Sequence, residues 1–292
     1  HPIIINAITG GADAVAKINE SLAIVARETG SAMAVGSQFG TVRTGLHRDS
    51  YTIVRKCNPK GLIFANLSAF ASVEQAKAAI DMISADALQI HLNPAQELAM
   101  EEGDRDFSNC LSHIEAMVQG VGVPVIVKET GCGMAKKEAQ DLLDVGVTLL
   151  DIGGAGGTNF PAIEHQRYPE GNEELSEWGI PTVLSLLSVV QTVGWGNGVI
   201  ASGGIRSALD VVKAQVLGAS AVAMAGNLLQ KIQQEGTEET IHFLQRLLNK
   251  VLDFYTLLGC RTFRDLHEAR YYLTGETAQA VSSDFSFFSQ HI

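Results

Sequence analysis

The sequence predicts an α/β chain folded as a TIM (β/α)8 barrel. Eight short apolar runs recur along it, most of them followed by a helical pattern, and polar residues gather where the runs end. A length of 292 residues with 46% hydrophobic content suits one barrel of roughly 250 residues better than two small domains. The 29 glycines fit a fold that turns tightly after each strand and brings backbone close to a ligand.

Residues 3–7 are the first predicted strand, leading through TGG to a helix at about 12–28 with Ala, Val and Ile at helical spacing. Residues 32–36 are the second strand, ending in GSQ. The stretch 41–56, with Arg43, His47, Arg48, Arg55 and Lys56, reads as a solvated loop and a short helix. A third strand at 62–67 ends by Asn66, and a helix at 73–84 returns the chain to the centre. The fourth strand, 87–92, delivers His91, Asn93, Gln96 and Glu97 into one short polar turn. A helix near 109–119 precedes the fifth strand, 124–129, whose Lys128 must find a partner or line a cavity. A helix at 136–145 leads to the sixth strand, 149–154, which runs into GGAGGTNF. The excursion at 161–179 is longer than an ordinary connection and is expected to be a lid or binding loop of this single domain. A helix at 182–193, a strand at 199–202, a helix at 208–217, a strand at 221–225 and a long helix at 238–258 complete the count. The tail after Gly275, polar and aromatic by turns, is assigned to no element.

A net charge of −11, from 21 basic and 32 acidic residues, argues against a nucleic-acid surface or an anionic-membrane patch. An anionic ligand would need a local basic or backbone-amide site. Cys57, Cys110, Cys132 and Cys260 lie far apart, which suggests neither a zinc site nor a disulfide framework and points to the reducing cytoplasm. No apolar stretch reaches the length of a membrane span, and HPIIINAITGG reads as a strand entering a loop, not a signal peptide. The chain has no initiator Met, as expected of a processed form or of part of a longer chain.

An imidazole, two carboxamides and a carboxylate within seven residues, His91 to Glu97, make a polar cluster that a core would not hold unpaired. A lone histidine there would read equally well as a structural hydrogen-bonder. In barrels of this class a phosphate commonly sits between the loops after strands seven and eight. Those loops are Ser202-Gly203-Gly204-Ile205-Arg206 and Met224-Ala225-Gly226-Asn227.

NAITGG, VGSQ, ANL, IHLNPAQE, IVKE, GGAGGTNF with the following Ile163-Glu164-His165-Gln166-Arg167, ASGGIR and MAG stand in order along the chain. In that order and approximate spacing, over nearly the whole chain, the sequence resembles type 2 isopentenyl-diphosphate isomerase. IHLNxxQE is specific to that family, whereas GGT, GGIR and AG are shared with other FMN-binding barrels.

The resemblance implies an FMN- and Mg2+-dependent enzyme of isoprenoid biosynthesis that interconverts isopentenyl and dimethylallyl diphosphate with reduced FMN and no net redox change, NADPH serving as reductant. By that resemblance Ala7, Ile8, Thr9, Ser37, Asn66, Lys128 and Thr158 line the flavin, and Gly203, Gly204, Ala225 and Gly226 hold its phosphate. Gln96 touches substrate, Glu97 holds Mg2+, and His91 and Asn93 help to seat the diphosphate. Family members generally form homo-oligomers, tetramers or octamers.

The residue types suit this chemistry. Mg2+ takes one or two carboxylates with substrate oxygens and water, and a lysine beside the flavin stabilises negative charge on the reduced ring. Glu164 is a candidate auxiliary acid or base, with a salt bridge to Arg167 as the alternative.

Two departures stand out. Family members carry an N-terminal segment with an Arg-Lys pair, which would lie upstream of His1, and the residue after GSQ, often Arg, is Phe39, with Arg43 as a substitute charge. An FMN-dependent 2-hydroxy-acid oxidase is a second reading, set back by GGAGGTNF where such an enzyme carries a His-Arg motif. A third is an inactive, truncated flavin binder.

Overall fold

The computed structural model describes residues 1–283. Eight strands, β1 (Ile3–Ile5), β2 (Ala32–Ala34), β3 (Ile63–Ser68), β4 (Ala87–Leu92), β5 (Val125–Glu129), β6 (Leu149–Asp151), β7 (Val199–Ser202) and β8 (Ala221–Met224), close in sequence order into one barrel. All pairings are parallel, with β8 returning to β1 through Ile3↔Val222. The eight-strand count therefore holds.

Strand alternation sorts the side chains. Ile5, Met33, Leu67, Leu88, Ile90, Val127, Leu150 and Val222 point outward and are buried under the helices. Ile4, Ala34, Phe64, Ala87, Ile126, Ile200 and Ala223 point inward and form a separate apolar plug. Two residues further along their strands the inward positions turn polar: Asn6, Asn66, Gln89, Lys128 and Ser202, with Asp151 two after Leu149, all buried. A dry floor thus carries a polar tier facing the C-terminal mouth.

The outer layer comprises α1 (Ala16–Thr29), α2 (Phe39–Thr44), α3 (Asp49–Cys57), α4 (Val73–Ile83), α5 (Pro94–Ala99), α6 (Cys110–Gly120), α7 (Lys136–Asp144), α8 (Phe160–Arg167), α9 (Thr182–Val193), α10 (Ala208–Val216), α11 (Gly226–Leu257) and α12 (Gly275–Ser283). Several start on sequence-readable caps. Ser72 and Ser207 close capping boxes on α4 and α10, and Asn159 caps α8 with a proline in its first turn.

Two expectations are corrected. The stretch 41–56 is largely helical: α3 buries Ser50, Tyr51 and Val54 on one face, and the Tyr51 hydroxyl donates to the Ser37 carbonyl. Arg55 is no solvated charge, since it donates to the carbonyls of Ile83, Gly61 and Ser84 and pairs with Asp86 at 2.7 Å. The long helix runs on from Gly236, as expected from about 238, and a shorter helical stretch from Gly226 precedes it across a break at Gly236, whose φ of 84° and ψ of 180° leave the helical region. The excursion at 161–179 contains most of α8 and a 3-10 turn, Glu173–Glu177, tied together by Asn159 Nδ2 donating to the Ser176 carbonyl at 2.6 Å. Part of the tail after Gly275 forms α12; residues 284–292 lie outside the described residues. No described helix is long and apolar enough to cross a membrane.

Candidate active site

The polar turn after β4 is built by Pro94, which starts α5 and sets Gln96 and Glu97 on its first turn. Asn93 Nδ2 donates to Glu97 Oε1 at 2.9 Å, and the Asp104 amide donates to Glu97 Oε2 at 3.0 Å. Gln96 Nε2 reaches across to Glu164 Oε1 on α8 at 2.9 Å, while Arg167 Nη1 pairs with Glu164 Oε2 at 2.6 Å. The salt bridge foreseen for Glu164 is formed, on a buried carboxylate that also engages Gln96.

Beside this turn stands His91, in register with Lys128, itself in register with Asp151. His91 Nδ1 lies 2.9 Å from Asn66 Oδ1. Burial, with a smaller contribution from the Lys128 charge, lowers its pKa to about 4 and keeps the ring neutral near pH 7. Lys128 is buried and donates from Nζ to the Glu129 carbonyl at 2.7 Å, leaving two of its three protons free for other acceptors. Glu129 Oε2 accepts from the amides of Gly131, Cys132 and Gly133 at 2.7, 2.5 and 3.1 Å, pinning the turn after β5. Burial pushes this carboxyl up to about 7 against the opposing pull of those amides and Lys128.

The late glycine loops converge. Gly203 has φ 101°, and a Cβ there would stand 2.1 Å from the Gly154 carbonyl oxygen; one on Gly226 would stand 3.5 Å from the Thr158 hydroxyl. The loops after β6, β7 and β8 therefore meet at one rim. Within the described residues the amides of Gly203, Gly204 and Gly226 make no hydrogen bond, which is the donor set a phosphate takes. Ala225 precedes this helix start.

After β1, Ala7 and Ile8 are part-buried, whereas the Thr9 hydroxyl is already spent on Asn19 Oδ1. Ser37 is exposed after β2. Arg43 lies over the Phe39 ring at 5.4 Å, so the charge expected to substitute at this position is stacked on Phe39. Among the described residues no group of three or more His, Cys, Asp or Glu surrounds a common point.

Residues 40–273 match the FMN-dependent dehydrogenase family. Isopentenyl-diphosphate delta-isomerases of Bacillus licheniformis and Geobacillus sp. are each 47% identical over 94% of this chain and 79% of their own length; that of Listeria innocua is 42% identical over 95% and 78%. The chain belongs to the isopentenyl-diphosphate delta-isomerase family. Solved mandelate oxidase structures share the isomerase chain's fold, with a TM-score of 0.66 at 18% identity over 94% of this chain and 80% of theirs. An FMN phosphate fits this family member's unpartnered amides at the β7 and β8 loops.

The expected site residues of this isomerase-family chain fall into four places: the β4 turn with Glu164, the barrel tier with Asn66 and Lys128, the glycine rim with Thr158, and the loops after β1 and β2 with Ala7, Ile8, Thr9 and Ser37. Sequence reading did not single out Asn6, Gln89 or Asp151, and it took Ser202 only as part of the β7 loop and Glu129 only as part of IVKE. The signal was present as I4-x-N6, A87-x-Q89-x-H91, L149-x-D151 and I200-x-S202, an apolar inward residue followed two later by a polar one.

Proposed function

We propose that the chain interconverts isopentenyl and dimethylallyl diphosphate, using reduced FMN and Mg2+ with no net redox change. The observation that carries this is identity of 42–47% to curated isomerases over at least 77% of their length. Shifting a double bond requires a proton to be delivered to one carbon and removed from another. Bound FMN supplies an electron-rich ring able to exchange a proton.

The chain's residues then bind and orient. Unpartnered amides of Gly203, Gly204 and Gly226 hold the flavin phosphate, with Ala225 and Thr158 at the same rim and Ala7, Ile8, Thr9, Ser37 and Asn66 along the ring. The free protons of Lys128 face negative charge in the barrel. Glu97 holds Mg2+: each of its oxygens accepts one N–H and retains a lone pair, and substrate oxygens and water complete the shell. Gln96, oriented by Glu164, positions the reacting carbons, and Asn93 and His91 seat the diphosphate. His91, neutral near pH 7, seats the diphosphate through a metal-bound water or a protonated phosphate oxygen.

NADPH as flavin reductant, assembly into a tetramer or octamer, and a cytoplasmic location belong to the same proposal. The four free thiols suit a reducing compartment. The experiment that tests the function is incubation of dimethylallyl diphosphate with the chain, reduced FMN and Mg2+ in D2O. Deuterium entering the C5 skeleton and the isopentenyl isomer is the expected result, and neither appearing overturns the proposal.

A further inference from the structure

One hydrogen-bonded chain of side chains crosses the barrel and has a single direction. It starts at Asp151 on β6, which accepts from the Ser202 hydroxyl on β7, from the Gly153 amide and, at Oδ2, from Asn6 Nδ2 at 2.7 Å. A carboxylate only accepts, so Asn6 must turn its NH2 toward Asp151. The Ala7 amide fixes the same orientation independently, donating to Asn6 Oδ1 at 2.9 Å. Asn6 Oδ1 then takes Gln89 Nε2 at 3.0 Å, and Gln89 Oε1 takes Asn66 Nδ2 at 3.0 Å. Each carboxamide has its orientation dictated by the one before. What remains facing His91 Nδ1, at 2.9 Å, is the carbonyl oxygen of Asn66, which must receive a hydrogen.

We propose that Asp151 is a positioning residue that sets, through Asn6, Gln89 and Asn66, the tautomer of His91: the proton on Nδ1, the lone pair of Nε2 open to the mouth of the barrel. His91 therefore meets its ligand as an acceptor, suited to a metal-bound water or a protonated phosphate oxygen. Burial keeps the imidazole neutral, so the tautomer is defined near pH 7. The functional meaning rests on the placement of His91 in the proposed isomerase site; the tautomer itself does not.

The test is long-range 1H–15N correlation on the full chain with FMN, labelled at histidine nitrogen, at pH 7.5. The His91 signals are those lost in H91Q. The wild type is expected to show Nδ1 protonated and Nε2 bare. In Asp151→Asn the new NH2 opposes the NH2 of Asn6 while the Ala7 amide still holds Asn6 Oδ1, so the two constraints on Asn6 conflict and the Nε2–H form of His91 is expected to appear beside Nδ1–H. A second pair stands if that variant does not fold: Gln89→Leu removes the oxygen that orients Asn66 and should mix the tautomers, whereas Gln89→Glu keeps that oxygen and should preserve Nδ1–H. Nε2–H in the wild type, or unchanged Nδ1–H in both D151N and Q89L, overturns the proposal. None of these spectra requires turnover, so a failed isomerase assay leaves the tautomer assignment standing.

Discussion

Gln96 Nε2 donates to Oε1 of the buried Glu164 at 2.9 Å, joining the helix after β4 to the helix after β6. The other Glu164 oxygen pairs with Arg167, whose side chain is 62% exposed. Because the Gln96 bond is the sheltered one, Glu164→Ala should lower kcat about tenfold or more through a misplaced Gln96. Arg167→Ala should shift stability by no more than about 1 kcal/mol and leave kcat near wild type. Steady-state kinetics and urea unfolding check both; equal losses in the two variants would show that the ion pair, not the Gln96 bond, matters.

Gly203 is held at φ 101° with the Gly154 carbonyl where a Cβ would be. Gly203→Ala should therefore cost on the order of 1–3 kcal/mol and weaken FMN retention, because the rim must move. Thermal melts and flavin fluorescence after gel filtration measure this. Wild-type values for both would remove the close packing of the two loops from the account.

Lys128 places a buried cation in the polar tier. Lys128→Met keeps the length and removes the charge, so reduced flavin loses a stabilising partner. The two-electron potential should fall by on the order of 50 mV. Redox titration with a reference dye reads the shift, and an unchanged potential would place the lysine away from the ring.

His91 has its pKa lowered from 6.5 to about 4 by burial and the Lys128 charge. Between these values the unfolded chain binds the proton and the folded chain does not. The contribution to stability is therefore full above about pH 6.5 and is lost as pH falls toward 4. The stability difference between wild type and H91Q should shrink over that window in urea titrations. A pH-independent difference would contradict the burial argument.

Much of the barrel was legible because outward strand residues such as Leu88 and Ile90 are apolar under the helices and glycines punctuate the loops. The polar tier was harder to read, since Gln89 and Asp151 lie inside runs whose average is apolar, and only the two-residue alternation exposes them. Charges masked α3: Arg48, Arg55 and Lys56 surround a stripe whose buried face is only Ser50, Tyr51 and Val54. The partner of Gln96 lies 68 residues away, a relationship set by barrel closure and invisible to local pattern. The break at Gly236 was legible as a glycine before the long helix, whereas the shorter stretch from Gly226, with Ala225 as its N-cap residue, was given no bounds because glycines bracket it.

The measurement that tests the central claim most directly is an anaerobic assay of the chain with isopentenyl diphosphate, FMN, Mg2+ and a chemical reductant, repeated with Glu97→Gln. Dimethylallyl diphosphate should form only when flavin is reduced and Mg2+ is present, and E97Q should keep its flavin while losing Mg2+-dependent turnover. Turnover of a 2-hydroxy acid in place of the diphosphate, or full activity of E97Q without Mg2+, would contradict it.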